Sequence, residues 1–286
     1  MSFRHRGLTP YLLLAPGVAW LAAFFLVPLG FLAYQSLQSG SLDFGYAFSW
    51  AWGNYWDVIR NYHSQFVRSL EYAGIATVLA LVVSYPVAYW IAFRGGRWKN
   101  LFLLFIVAPF FVTYLIRTLA WETILADHGI VVNTLRNLHL LGSGGRLLAT
   151  SVAVVTGITY NFLPFMALPL YVSLEQIDGR LIEAAQDLYA SKWKAFLRVT
   201  LPLSLPGVVG GTLLTFIPAA GDFINAQLLG SPQQHMIGNV IQSKFLELTD
   251  YAAAAAMSFI LMAAILVAVF AYARAVGTEQ LTGTAV

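Results

Sequence analysis

Six stretches of this chain contain no Asp, Glu, Lys or Arg: residues 7–42, 72–93, 100–116, 147–174, 199–221 and 251–273. A helix rising about 1.5 Å per residue needs about 20 apolar residues to cross a hydrocarbon core of about 30 Å. Five stretches meet that length with room to spare and the third only just. Charged residues make up 10% of the chain and hydrophobic ones 59%, against about 25% charged in an ordinary soluble domain. The expectation is an all-α, polytopic membrane protein with six transmembrane helices, over residues 11–34, 69–93, 101–121, 148–173, 203–223 and 252–273. A seventh charge-free stretch, 223–243, carries Asn225, Gln227, Gly230, Pro232 and Asn239. It reads as an aqueous or re-entrant loop, because unsatisfied polar backbone cannot face lipid. Neither a tandem repeat nor a low-complexity linker divides the chain, so residues 1–286 are read as one domain.

Cysteine is absent, which excludes disulfides, thiolate catalysis and cysteine-ligated metals. Arg4, His5 and Arg6 precede an apolar run longer than the 7–15 residues or so of a signal-peptide core, so a retained first span is expected. With both termini cytoplasmic, ten of the 16 Lys and Arg fall on the inner side, among them the cluster RGGRWK at 94–99. That asymmetry follows the positive-inside rule. Residues 35–66 then form an outer loop whose Trp50, Trp52, Tyr55, Trp56 and Tyr62 suit a membrane interface. Residues 129–146 hold a short helix ending at the flexible GSGG of 142–145.

Charge is concentrated between residues 178 and 200, where Asp178, Arg180, Glu183, Asp187, Lys192, Lys194 and Arg198 all lie. Asp178 can cap a helix in which Leu181, Ala185 and Leu188 recur at i, i+4 and i+7. Ser191 can cap a second, whose Trp193, Phe196, Leu197 and Leu201 share a face and which ends near Pro202 and Pro206. Helices below about 12 residues are marginal alone in water, so both need a surface to pack on.

Glu183, Ala184 and Ala185, then Leu188, Ala190 and Ser191, then Phe196, Leu201, Pro202 and Pro206 closely resemble the EAA loop of permease subunits in type I ABC importers. The resemblance implies that fold, with 178–200 as a cytoplasmic coupling loop in which Glu183, Ala184, Ala185, Asp187, Leu188, Tyr189, Ala190, Ser191 and Lys192 dock on an ATPase. It implies as partners a cytoplasmic ATPase dimer, a second homologous permease subunit and an extracytoplasmic solute-binding protein, in a bacterial inner membrane. ATP and Mg would be bound by the ATPase, since no Gly is followed by Lys anywhere and no Walker A loop exists here. Tyr189 stands where that family has Gly; it is expected to keep ordinary helical or bridge geometry and to pack its ring on the ATPase. Stretches such as PFFVTYLIRTLAWETIL, YNFLPFMALPLYVSLEQID and GDFINAQLLG are similar to the branch importing spermidine, putrescine and related solutes. A polyamine is the leading solute, with phosphonates, amino-acid derivatives and chelated iron as alternatives. An ion-coupled secondary transporter or an intramembrane enzyme is the competing class, and the inverted repeats expected of a secondary carrier are not detectable.

For a solute pathway the candidates are Arg117, Trp121, Glu122, Asp127, Tyr160, Phe162, Asp222 and Phe223. Arg117 follows Leu101 by 16 residues, about 24 Å of helix rise, which places it toward the outer side of the third span. A charge there needs a wet cavity or a partner, and Trp121 at i+4 offers a ring. The carboxylates would attract a cationic solute and the rings could stack on it, although each also reads as a solvated charge, a helix cap or a packing residue. No catalytic residue is assigned. The five histidines are scattered, without metal-ligand spacing, and no nucleic-acid-binding feature appears.

Overall fold

A computed structural model of the chain describes residues 9–42, 44–142 and 144–276. Arg4, His5, Arg6, both chain termini and Ser143 of the GSGG turn lie outside the described residues. Five helical stretches are long and apolar enough to cross a membrane: Leu13–Ser36, Gly53–Arg94, Ser151–Glu175, Lys192–Ala220 and Tyr251–Ala275. A bent pair, Gly96–Phe111 with Tyr114–Asn137, passes the same test of length and hydropathy when taken together and makes the number six if it crosses as one span. Backbone contacts divide the chain into two compact units, Met1–His63 with Ile241–Ile260, and Ser64–Val240 with Leu261–Val286.

In the first unit, α1 (Thr9–Leu21) continues through one π-turn into α2 (Val27–Ser36). The predicted outer loop is more ordered than the sequence suggests. It contains an antiparallel hairpin, β1 (Gln38–Ser41) and β2 (Gly45–Phe48), and the start of α3 (Gly53–Arg94). Gly40 takes φ +124°, and a Cβ there would lie 2.1 Å from the Gly45 carbonyl oxygen, so only glycine closes this ribbon. Asn54 donates from Nδ2 to the carbonyls of Ser36 (3.0 Å) and Gln38 (2.9 Å), satisfying acceptors left open where α2 ends.

The second unit carries most of the buried core. After α3 come α4 (Lys99–Val107), α5 (Tyr114–Leu125) and α6 (Ile130–Asn137), the last being the short helix expected in 129–146. Next are α7 (Ser151–Glu175), α8 (Gly179–Asp187), α9 (Lys192–Ala195), α10 (Leu201–Ala220), α11 (Ile224–Leu229) and α12 (Ile237–Leu246). Among the described residues the last helix is α13 (Tyr251–Val276), whose first part, like the end of α12, belongs to the first unit. Helices α7 and α10 approach closely because Gly207 and Gly211 present no side chain. A Cβ on Gly207 would sit 2.7 Å from the Pro169 carbonyl oxygen, and one on Gly211 2.8 Å from the Met166 sulfur. Small residues at a membrane helix interface permit this contact.

Three expectations are corrected here. The third span is not a single helix over 101–121. After α4 a 3₁₀ turn, Ala108–Phe111, leads to extended backbone at Val112 (φ −99°, ψ 136°) and Thr113 (φ −59°, ψ 146°), and the helical axis bends by 94°. Pro109 lies in that turn and has no N–H to continue the helical ladder. The straight-helix estimate of the height of Arg117 fails with it. The segment 223–243 is not a loop but α11, a short turn and the start of α12, with Asn225, Leu229, Met236 and Ile237 buried. Lastly, α9 is not a free-standing short helix. It runs through a π-turn, Phe196–Thr200, into α10, giving one helical stretch Lys192–Ala220, with the widened turn immediately before Pro202.

Candidate functional site

The first candidate region is the charged loop. Asp178 caps α8 by accepting the Arg180 N–H at 3.0 Å, and Ser191 caps α9 by accepting the Lys194 N–H at 3.3 Å, both as the sequence suggests. At the other end of α8 the Ala190 N–H reaches back to the Ala185 carbonyl (3.1 Å) and the Tyr189 N–H to that of Gln186 (2.9 Å). These two bonds form a Schellman C-cap, which requires a left-handed residue at the position of Tyr189. Tyr189 has φ +60°, contrary to the ordinary geometry expected of it. The backbone bend is therefore the one a glycine would make, imposed on a bulky residue at about 1–2 kcal/mol. Tyr189 is 98% exposed and Leu188 82% exposed, so no contact among the described residues repays the strain.

Tyr189→Gly is accordingly expected to strengthen this cap by about 1 kcal/mol in the isolated permease. Hydrogen exchange of the amides in 178–191 should slow roughly five-fold; unchanged or faster exchange would mean that the tyrosine bears no strain.

The return side of the loop is anchored. Phe196 packs edge-on against Tyr85 (5.8 Å) and Tyr89 (5.9 Å) of α3, and Trp193 stacks on Phe196 at 5.4 Å. Tyr85 also shares a 2.8 Å hydrogen bond with Ser204 of α10. Glu183, Ala184, Asp187, Ser191 and Lys192 stay exposed and Ala185 and Ala190 half-buried. The result is a fixed base carrying an apolar, charged ridge that no other part of the described residues covers.

The second region lies where α5, α7 and α11 meet. Asp222 is buried, 7% exposed, with its carboxylate held by four donors. Tyr114 donates its hydroxyl at 3.0 Å, Asn225 its Nδ2 at 2.5 Å, and the backbone N–H groups of Ile224 (2.9 Å) and Asn225 (3.4 Å) cap α11. Asn161 of α7 extends the network, donating to Thr118 Oγ1 and Asn225 Oδ1, each at 3.2 Å. Gly157 makes room: a Cβ there would lie 2.4 Å from a Leu229 methyl and 2.6 Å from Asn225 Oδ1. Gly238 does the same on the other side, since a Cβ would meet the Gly221 carbonyl oxygen at 2.7 Å.

Arg117 borders this network, 8% exposed, with Nε and Nη1 lacking hydrogen-bond partners. Its guanidinium lies over the rings of Phe110 (5.0 Å) and Tyr114 (5.6 Å), not over Trp121. Trp121 instead meets Tyr160 edge-on at 5.4 Å. Phe162 is buried 6.1 Å from Tyr114, and Phe223 is half-buried with its carbonyl accepting the Asn239 Nδ2 at 2.8 Å. Asp127 pairs with Arg146 at 3.2 Å on an exposed edge, and Glu122 is half-buried. The structure thus gathers Arg117, Phe162 and Asp222 around Tyr114, joins Phe223 to Asn239, sets Trp121 against Tyr160, and engages Asp127 elsewhere. Sequence reasoning passed over Tyr114, Thr118, Asn161 and Asn225. The signal was present, since Tyr114, Thr118 and Trp121 recur at i, i+4 and i+7, and a polar Asn161 in an apolar span faces the protein interior. Among the described residues no group of three or more His, Asp and Glu could hold a metal ion.

Residues 81–276 match the family model described as binding-protein-dependent transport system inner membrane component. The chain is 38% identical over 259 residues to the spermidine/putrescine transport system permease protein PotB of Haemophilus influenzae, covering 90% of each sequence. It is 38% identical over 200 residues to PotB of Escherichia coli, covering 70% of this chain and 73% of that one. Its fold is similar to a crystal structure of a bacterial ABC transporter involved in the import of the acidic polysaccharide alginate. The TM-score is 0.67 at 19% identity, over 96% of this chain and 95% of that one.

Proposed function

Because the chain belongs to the family of binding-protein-dependent transport system inner membrane components, in which it serves as a multi-pass permease subunit of an ATP-driven importer, we propose that its solute is a polyamine such as spermidine or putrescine. The observation that carries the solute reading is the 38% identity to a spermidine/putrescine permease along 90% of both chains. The uncovered ridge of α8, built by the capped bend at Tyr189, carries the mechanical reading: Glu183 to Lys192 dock in a partner ATPase, which binds ATP and Mg and performs the hydrolysis. A second permease subunit completes the pathway and an extracytoplasmic binding protein delivers the solute. Both termini and the loop 178–200 lie on the cytoplasmic side, within a single permease domain spanning residues 1–286.

Within the pathway the eight candidates divide by accessibility. Trp121, Glu122 and Phe223 keep exposed surface and meet the solute, where ring faces and a carboxylate attract ammonium groups, while Tyr160 backs Trp121 edge-on. Arg117, Phe162 and Asp222 are buried and hold the wall. Asp127, paired with Arg146, sits at the mouth.

The test is uptake into proteoliposomes holding the chain with its ATPase, second permease and binding protein. ATP-dependent accumulation of labelled putrescine or spermidine is expected. Accumulation of a phosphonate, amino-acid derivative or iron chelate that excess polyamine does not inhibit would overturn the solute assignment and leave the permease assignment standing.

A further inference from the structure

We propose that the groove between the membrane-crossing part of α3, α4 and the middle of α7 binds an anionic phospholipid, with an acyl chain in the groove and the headgroup against Arg94 and Arg97. The groove encloses about 580 Å³ and is walled by Val87 and Trp90 of α3, Phe102, Phe105 and Ile106 of α4, and Leu163 of α7, among others. Only Trp90 and Tyr160 among its lining residues have a polar side-chain atom. Its volume falls in the range of small-molecule sites, roughly 300–1,000 Å³. Water filling such a space would find almost no partners, whereas a hydrocarbon chain loses nothing there.

One end of the groove specifies the headgroup. Trp90 and Phe102, both lining the groove, meet edge-on at 5.0 Å, and one helical turn after Trp90 begins the turn Arg94 to Lys99. That turn is fixed in shape: Gly96 takes φ +49°, and a Cβ on Gly95 would lie 2.5 Å from the Ile91 carbonyl oxygen. Lys99 is committed to Glu175 at 3.3 Å, and Arg97 lies over the Trp98 ring at 5.2 Å. Among the described residues neither Arg94 nor Arg97 forms an ion pair, and both are exposed. Two guanidinium groups without an ion-pair partner among the described residues, on a rigid turn beside an apolar groove within membrane-crossing helices, complement a ligand with one anionic end and a hydrocarbon remainder. A helix of a second permease chain would fill the groove without needing a cationic end.

The experiment uses the importer purified with its partner subunits in detergent, titrated with phosphatidylglycerol and with phosphatidylcholine of the same chains, bound lipid being counted by native mass spectrometry. Phosphatidylglycerol should be retained in preference. Arg94→Gln and Arg97→Gln should each weaken that preference roughly five-fold, and Val87→Trp, which fills the groove, should reduce retention of both lipids. Equal retention of the two lipids by the unaltered complex would overturn the headgroup assignment. Retention insensitive to all three substitutions would place the lipid elsewhere. A photo-crosslinker at Phe105 that joins the second permease chain instead of lipid would show that protein fills the groove.

Discussion

Glu183→Ala is expected to lower ATP-driven uptake by at least ten-fold while membrane insertion and the amount of folded permease stay unchanged. The glutamate is exposed on α8 and makes no ion pair among the described residues, so its loss removes no ion pair among them. Truncating one partner of a buried charge interaction between proteins costs about 2–5 kcal/mol, enough to separate a permease from its ATPase at ordinary concentrations. Uptake and ATP hydrolysis should be measured in the same proteoliposomes. Loss of uptake with hydrolysis that no longer responds to the loaded binding protein is the expected pair of results. Wild-type uptake in the variant would remove the assignment of this ridge as the docking element.

Asp222→Ala should act in the opposite manner, through the fold. Four donors now converge on one buried carboxylate, and its removal leaves without an acceptor the Tyr114 hydroxyl proton, one Asn225 Nδ2 hydrogen (the other is donated to the Tyr114 oxygen at 2.5 Å) and two backbone N–H groups. Each buried unsatisfied group costs about 1–3 kcal/mol. A total loss of roughly 3–5 kcal/mol is expected, because relaxation lets some groups find new partners. Thermal unfolding followed by near-ultraviolet circular dichroism would read it, and Asp222→Asn, which keeps one acceptor oxygen, should fall between. An alanine variant as stable as the unaltered chain, but with weakened uptake, would make Asp222 a solute contact instead of a wall residue.

What could be read from the sequence followed a division between patterns and exceptions. Long apolar runs, the capping residues Asp178 and Ser191, and the short helix before Arg146 depend on local propensity or periodicity, and these were legible. The break at Val112–Thr113 was not, because an apolar run containing one proline looks the same whether the helix kinks slightly or turns by 94°. The second unit resolves the choice by fastening α5 to Asn161 and Asn225. The seventh charge-free stretch misled for a related reason: its polar residues looked solvated because their partners, Ser69 for the Ile237 N–H and Phe223 for the Asn239 amide, lie 168 and 16 residues away. Tyr189 is the sharpest case. Residue type argued against a left-handed backbone, and the two capping hydrogen bonds of the Schellman turn outweighed it.

The helical stretch Lys192–Ala220, which runs through the π-turn Phe196–Thr200 and past Pro202, Pro206 and Pro218, begins on the exposed ridge and ends two residues before Asp222. At about 1.5 Å per residue it is roughly 43 Å long, so a tilt of about 5° imposed at its base swings the far end by roughly 4 Å. The third span, hinged at mid-length, cannot act as such a lever. Under the proposed docking, a push at the ridge is carried along this helical stretch toward the carboxylate cluster, and its π-turn at Phe196–Thr200 together with Pro206 and Pro218 sets how much of the swing arrives.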